Sequence, residues 1–234
     1  MNKTIDISGQ THLGELVTFF PEITSRLNDL HIDYCCQGDR TLDAAMKEAG
    51  LKADFLAEVR GAYESYLARP DKSLPVTELT DRQLIDLILE IYHAPERALW
   101  LELDRLVNKI LLVHYEHGKD QLLQLHRSFS ELKMELEEHF AKEEELFPAM
   151  LAAGQTDEDR AVIRSLILRL EFEHDGAGLI IKRIIRDTND FTPPDYACPT
   201  MIAVYRKLHE LADDIFLHIA KENSVLFKRY EKAE

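Results

Sequence analysis

The sequence predicts an all-α protein in which an antiparallel four-helix bundle follows a small helical domain. The first observation is that four long stretches of the 234-residue chain place apolar residues at steps of three and four, which lines one face of an α-helix. The second is that these stretches are joined by short segments, which makes consecutive helices antiparallel. The third is a polar segment with two prolines, residues 68–75, which separates the bundle from the shorter patterns before it.

The first predicted domain, residues 1–70, contains three short helices. Pro21 suits the first turn of one of them, and Thr41 is placed to cap the next, which Gly50 closes. Cys35 and Cys36 lie side by side in the turn-rich segment between these two helices, just upstream of a helix N-terminus, a position that can lower the pKa of a thiol. The three helices are expected at about residues 21–30, 41–49 and 53–67.

The second predicted domain, residues 78–234, contains the bundle. Thr80 caps its first helix, and Pro95 interrupts that helix. A proline donates no backbone hydrogen bond and its ring crowds the carbonyl four residues before it, so we expect a kink near residues 91–95. Cys198 lies in the longest loop, residues 187–199, with an expected structural role. The four helices are expected at about residues 80–114, 119–151, 157–187 and 199–230.

Residues that suit metal binding interrupt the apolar face of every predicted bundle helix. The second and fourth helices each have the sequence motif His-x-Ala-Lys-Glu on this face, and the first and third each have one histidine there. A single pair of this kind is more often solvated, and a single histidine is more often part of the core. Their recurrence in all four helices favours a common site instead. The six candidate ligands are His93, His139, Glu143, His174, His218 and Glu222.

A metal supplies the charge that these positions lack. Burying a carboxylate without a counter-charge costs several kcal/mol, and no Lys or Arg lies on the apolar faces of the second and fourth helices. Four imidazoles and two carboxylates exceed the four ligands of one tetrahedral zinc. Two ions, each with two histidines and both sharing the two glutamates, use all six. Nitrogen and oxygen donors without a thiolate suit iron, with manganese and zinc as competitors.

Composition excludes several classes of partner. A net charge of −15 argues against binding nucleic acid or an anionic membrane. No apolar run approaches the roughly 18 residues of a membrane span, and the first residues lack the apolar core of a signal peptide. The three cysteines do not form a disulfide framework and fit a reducing compartment. We therefore expect a cytoplasmic protein with no nucleic-acid or membrane partner.

The motifs of this chain resemble the RIC (repair of iron centres) family, the ScdA/YtfE/DnrN group of iron–sulfur cluster repair di-iron proteins, over nearly the whole length. The resemblance implies a hemerythrin-like bundle, two iron ions on the six ligands, with an oxo bridge when ferric, and repair of clusters damaged by nitric oxide or peroxide. One departure comes after Glu143, where the chain is one residue shorter than its own fourth helix, a difference that rotates the later residues of the helix by about 100°. The matching motifs include Asp33-Tyr34-Cys35-Cys36, Tyr92-His93, His139-Phe-Ala-Lys-Glu143, Glu173-His174-Asp175, Ala197-Cys198 and His218-Ile-Ala-Lys-Glu222-Asn223.

Three functions fit this pattern. The first is an iron donor for damaged iron–sulfur proteins, in which Cys35 and Cys36 act in redox chemistry or iron transfer. The second is a nitric oxide reductase that forms nitrous oxide, and the third is a sensor or carrier that binds O2 or nitric oxide. The first is preferred because a plain oxygen carrier needs no thiols. Whether the chain is an enzyme, which redox partner it uses and whether it forms a homodimer are left open.

Overall fold

The computed structural model describes residues 4–70 and 75–231. Four helices occupy the first of these ranges, and the described residues contain no β-strand. Part of the predicted linker, residues 71–74, lies outside the described residues. The four helices are α1 (Leu13–Phe19), α2 (Ile23–Asp29), α3 (Leu42–Glu48) and α4 (Ala53–Leu67).

Four long helical stretches follow, each close to its predicted position. A short 3-10 turn, Val76–Glu78, precedes them. The first and fourth stretches are each interrupted by a π-helical turn, and the second and third are α-helical throughout except at Gly118, near the start of α7. Their elements are α5 (Asp81–Leu87), a π turn (Ile88–His93), α6 (Ala94–Val113), α7 (Tyr115–Met150), α8 (Asp157–Asp187), α9 (Pro199–Lys221), a second π turn (Glu222–Leu226) and α10 (Lys228–Glu231).

Several helix ends follow from local sequence. The Thr41 hydroxyl accepts the backbone N–H of Ala44 at the start of α3, as predicted. Thr156 and Asp159 form a reciprocal capping box at the start of α8. The sequence did not predict α1, because nearly all of its seven residues are buried and it shows no polar face that would give a helical period.

Pro95 is accommodated without disrupting His93. The irregularity expected near residues 91–95 takes the form of the π turn, in which the N–H of Ala94 donates to the carbonyl of Leu89, five residues before it. Pro95 then falls directly after the π turn, in the first turn of α6. His93 remains buried.

Ion pairs show that the long helices are antiparallel. Arg97 on α6 pairs with Glu144 on α7 at 2.6 Å, while Asp104, further along α6, pairs with Lys133, which is earlier on α7, at 3.2 Å. The pairs from α7 to α8, which include Glu131 with Arg183, follow the same reversed order. Fully buried apolar side chains, including Trp100, Leu125 and Phe129, fill the space between these helices.

By its internal contacts the chain forms two compact units, residues 1–86 with 216–234 and residues 87–215. The first is built around the buried apolar residues of α1 to α4, and the second around those of α6 to α8 and most of α9. The predicted domains, 1–70 and 78–234, remain a prediction from sequence. None of the helices in the described ranges is both long enough and apolar enough to span a bilayer. The predicted all-α class is confirmed.

Candidate metal centre

Glu143 on α7 is the buried carboxylate on which three histidines converge. Its side chain is fully buried, with His139 Nε2 3.1 Å from Oε1 and His93 Nε2 3.2 Å from Oε2. His174 Nε2 lies 3.6 Å from Oε1. Three ring nitrogens thus surround one buried carboxylate.

In two of these rings the outer nitrogen, Nδ1, which lies on the side away from Glu143, is hydrogen-bonded to another carboxylate. His93 Nδ1 lies 2.9 Å from Glu144 Oε1, and His139 Nδ1 lies 3.0 Å from Glu173 Oε2. A carboxylate only accepts hydrogen bonds, so each Nδ1 carries a proton, and each Nε2 faces Glu143. A proton or a metal ion on Nε2 balances the charge of the carboxylate. This carboxylate–histidine arrangement is typical of metal ligands.

The titration of His139 and Glu143 supports the same interpretation. Burial lowers the pKa of His139, but the Glu143 carboxylate and the hydrogen bonds to Glu143 and Glu173 outweigh burial and leave the pKa raised. Burial raises the pKa of Glu143, but the charge of His139 and the hydrogen bonds of the three imidazoles hold it well below its ordinary value. A proton on the imidazole therefore provides the positive charge that a bound metal would provide.

His174 on α8 adds a second convergence of nitrogens. Its Nε2 lies 2.9 Å from His139 Nε2, and the two rings meet edge to face with centroids 4.6 Å apart. Two neutral imidazole nitrogens at this distance need a proton or a cation between or beside them, because otherwise their lone pairs repel. Both rings are buried.

His218 and Glu222 lie one turn apart at the end of α9. The two residues project from one face, as the four-residue spacing predicts, with Nε2 and Oε1 3.2 Å apart. Both side chains are buried. Glu222 also begins the second π turn, in which its carbonyl accepts the N–H of Phe227.

All six predicted ligands are buried, and they form two His/Glu groups, one in each compact unit. In residues 87–215, the Nε2 atoms of His93, His139 and His174 converge on the Glu143 carboxylate. In residues 216–234, His218 pairs with Glu222. The side chains of both groups belong to sets of buried residues that are able to hold metal ions. The assignment of the six residues as ligands remains a prediction from the sequence.

The cysteine pair forms a separate group with Asp33. The two sulfurs lie 3.5 Å apart, and the Cys35 thiol donates to Asp33 Oδ1 at 3.4 Å. The hydrogen bond with Cys36, burial and the Asp33 charge raise the pKa of Cys35 well above its ordinary value. The expected lowering by a helix N-terminus is therefore wrong for Cys35, because α3 begins only at Leu42.

Three functional features were not predicted. Glu144 and Glu173 orient ligand histidines and are themselves bonded to Arg97 and Lys142. The hydrogen bond from His139 is the largest factor that lowers the pKa of Glu173 to about 2. The sequence signal for the role of Glu173 was its position directly before His174. Glu96 is a further buried carboxylate, on α6.

Cys198 is an accessible, acidic thiol at the N-terminus of α9. A hydrogen bond with His114 and then the backbone N–H of Met201 lower its pKa to about 7. The expected structural role did not include this acidity. The signal in the sequence was the position of Cys198 directly before the helix that starts at Pro199.

Comparisons with known proteins cover both regions of the chain. The hemerythrin HHE cation binding domain matches residues 84–230, which include all six candidate ligands. The ScdA_N domain, described as a domain of unknown function, matches residues 9–59, which include the cysteine pair.

Curated relatives match almost the full length. The iron–sulfur cluster repair protein YtfE of Escherichia coli O157:H7 is 33% identical over 219 residues, which cover 93% of this chain and 94% of the relative. The proteins of the same name from Escherichia coli O1:K1 and Escherichia fergusonii match with the same identity and coverage.

Proposed function

This chain belongs to the RIC family of hemerythrin-like di-iron proteins, and from that premise we propose that it repairs iron–sulfur clusters damaged by nitrosative or oxidative stress by donating iron. The two buried His/Glu groups would hold two iron ions as cargo. Damaged iron–sulfur proteins would be the clients. We place the activity in the cytoplasm, where thiols such as the three free cysteines stay reduced.

The observation that carries this proposal is the environment of Glu143. A fully buried carboxylate faces the Nε2 atoms of His93 and His139, whose outer nitrogens are committed to other carboxylates. Removing two or more charges from water costs several kcal/mol per ion unless they compensate each other. Two divalent ions provide that compensation, and iron suits the nitrogen and oxygen donors.

The residues around the ligands prepare the site for both holding and releasing an ion. Glu144 and Glu173 keep the rings in the tautomer whose Nε2 can bind a metal. His139, whose pKa is raised, takes up a proton when the ion leaves, so the charge of Glu143 stays compensated after release. Iron held there supplies the ion that a damaged cluster has lost.

The thiols favour donation over gas binding alone. Cys35 and Cys36 lie with Asp33 in a group whose ligand atoms are within 4.8 Å of one another, which is suited to receiving a soft divalent ion. A sensor or carrier of O2 or nitric oxide has no use for such a group.

Transfer of labelled iron separates a donor from a reductase. Protein loaded with an iron isotope is reduced and mixed with a nitric-oxide-damaged iron–sulfur enzyme after all free nitric oxide has been removed. We expect the label to appear in the reactivated client, and Cys35→Ser with Cys36→Ser to slow this transfer without lowering the iron content of the His/Glu groups. Recovery without the label, or nitrous oxide formed over many turnovers at constant iron content, would favour the reductase instead.

A further inference from the structure

The π turn Glu222–Leu226 connects a candidate metal ligand to the cysteine pair. Asn223 directly follows Glu222, and its side-chain Nδ2 donates to the backbone carbonyl of Cys35 at 3.0 Å. The two residues are 188 positions apart in the sequence, so this bond is a tertiary contact and not a consequence of local folding. It fixes the backbone from which the Cys35 and Cys36 side chains project.

Two glycines allow the π turn Glu222–Leu226 to pack closely against α1 and against the segment that follows the cysteine pair. Ser224 packs against the Cα atoms of Gly14 on α1 and Gly38, which follows the cysteine pair. A Cβ atom on Gly14 would lie only 3.0 Å from Ser224 Cβ and closer still to its hydroxyl. The N–H of Gly14 also donates to the carbonyl of Gly38 at 2.9 Å. The segment 35–38 is thus held on one side by α1 and on the other by the π turn.

The group formed by Asp33, Cys35 and Cys36 has the donors and the spacing of a metal site. Two ligand sulfurs on a tetrahedral ion lie about 3.8 Å apart when each metal–sulfur bond is about 2.3 Å. The Cys35 and Cys36 sulfurs are already 3.5 Å apart. Asp33 Oδ1 accepts the Cys36 backbone N–H at 3.0 Å, which turns its carboxylate towards the thiols. Two thiolates and a carboxylate suit Zn2+, Fe2+ and similar ions.

We propose that Asp33, Cys35 and Cys36 form a second metal site, which takes one soft divalent ion and is positioned by Asn223 of the π turn. Binding replaces the two thiol protons by two metal–sulfur bonds and releases those protons to solvent, with no change in oxidation state. The identity of the ion as iron in transit rests on the proposed function. The existence of the site does not, since it depends only on these side chains.

Asn223 directly follows the candidate ligand Glu222 within the same π turn, and this position gives Asn223 its particular role. A π turn commonly lies at functional sites, and here it places the Glu222 carboxylate and the Asn223 amide on consecutive residues. Glu222 is thus connected to the Cys35 carbonyl through one residue and one hydrogen bond. Asn223 is a positioning residue, since its side chain bonds to the Cys35 backbone carbonyl.

Cobalt titration tests the site directly. Co2+ bound by thiolates gives a strong sulfur-to-metal charge-transfer band in the near ultraviolet, which the nitrogen and oxygen ligands of the His/Glu groups do not give. The titration uses reduced full-length protein with Cys198→Ser, so that Cys35 and Cys36 are its only thiols. Because the His/Glu groups also take up Co2+, the band is followed against the concentration of free Co2+. We expect its final intensity to correspond to one thiolate-bound Co2+ per chain. The band should be absent in Cys36→Ser, and Co2+ should bind about tenfold more weakly in Asp33→Asn.

The positioning role has its own matched comparison. Asn223→Ala should weaken Co2+ binding at the thiols at least severalfold. Asn108→Ala should not, because the described hydrogen bonds of Asn108 are within α6 and to His126 on the next helix. Circular dichroism establishes that each variant is folded. No thiolate band in the reduced protein would overturn the site, and equal affinity in Asn223→Ala would overturn the role of Asn223. Failure of iron donation would leave both results unaffected.

Discussion

At the scale of single residues, the two outer carboxylates hold their histidines differently. Glu173 uses both oxygens, Oε2 for His139 and Oε1 for Lys142 at 2.7 Å. Glu144 accepts from His93 and from Arg97 with the same oxygen, Oε1. Glu173 is also the less exposed of the two. We infer that Glu173 orients its ring more firmly, and that its loss is the more costly.

Glu173→Gln should weaken metal binding while leaving the fold intact. The neutral amide has one acceptor oxygen in place of the two carboxylate oxygens that accept from His139 Nδ1 and Lys142. The His139 ring then loses its preferred tautomer, and its Nε2 becomes less basic. Outer partners of this kind commonly change metal affinity by about 10- to 100-fold. The affinity is measured by competition with a coloured Fe2+ chelator.

Glu138→Gln is the control for this change. Glu138 also bonds to Lys142, at 2.8 Å, but it is largely exposed and is not bonded to a histidine in any described contact. Its substitution should leave the affinity within about twofold of the parent protein, since exposed ion pairs contribute little. Equal losses in the two variants would show that Glu173 acts only through general charge.

Cys198 should react at a lower pH than an ordinary thiol. Because only the thiolate is alkylated and the pKa is lowered to about 7, we expect the rate with iodoacetamide to reach half its maximum near pH 7. The measurement uses Cys35→Ser with Cys36→Ser, in which Cys198 is the sole thiol. His114→Gln should move the midpoint towards the usual value of about 8.5, because it removes the largest stabilising contact.

His117→Gln serves as the comparison for His114→Gln. His117 packs against Tyr196 with ring centroids 6.0 Å apart, near the same loop, but it does not contribute to the lowered pKa of Cys198. The midpoint should stay near pH 7 in this variant. A midpoint near 8.5 in the protein with His114 intact would contradict the assigned contact.

At the scale of elements, the one-residue difference between α7 and α9 explains the second π turn. Three residues separate Glu222 from Leu226, but only two separate Glu143 from Leu146, and yet all four of these residues are buried. In α7 a regular helix brings Leu146 to the core. In α9 the π turn absorbs the additional residue and brings Leu226 to an equivalent buried position.

Hydrophobic periodicity predicted regular elements well and irregular ones poorly. It located α4 and α8 at Ala53–Leu67 and Asp157–Asp187, because each of these helices has one apolar face. It could not predict the π turns, because one additional residue within a helical pattern is equally compatible with a kink in the helix or with a rotation of its apolar face. The ligand spacing His-x-x-x-Glu was visible, but the carboxylates that bind the outer nitrogens come from other helices and depend on tertiary packing.

Gly14→Ala should destabilise the protein, although alanine is the better helix former. The new Cβ atom would press on Ser224 in the π turn, and overpacking of this kind costs about 1–3 kcal/mol. Gly61→Ala in α4 is the matched change, since nothing lies within 4 Å of its added Cβ atom and the helix should gain up to about 1 kcal/mol. Urea unfolding measures both.

A double variant distinguishes the contact with Ser224 from other effects at Gly14. Ser224→Gly removes the side chain that the added methyl group meets, so it should return part of the stability lost by Gly14→Ala. Strictly additive losses in the two variants, or equal stability of Gly14→Ala and Gly61→Ala, would show that Ser224 does not limit this position.

At the scale of the whole molecule, the metal centre links stability to pH. Without a metal, the charge on buried Glu143 is balanced by a proton on His139, whose folded pKa is raised above its unfolded value of about 6.5. A group of this kind contributes stability that is fully present below the unfolded pKa and is lost as the pH rises through the folded pKa. Glu143 stays ionised throughout this range because its pKa is lowered.

Metal-free protein should therefore lose thermal stability as the pH rises above about 6.5, the unfolded pKa of histidine. Protein loaded with Fe2+ under anaerobic conditions should not, because a bound ion replaces the proton as the balancing charge. The difference in Tm between the two forms should grow with pH, which differential scanning calorimetry measures after chelator treatment. His139→Gln removes the titrating ring, so its metal-free form should lack the slope that the parent shows. A metal-free parent whose Tm is constant over this range would mean that the buried carboxylate is balanced by some other group, and the case for a cation at Glu143 would lose its electrostatic basis.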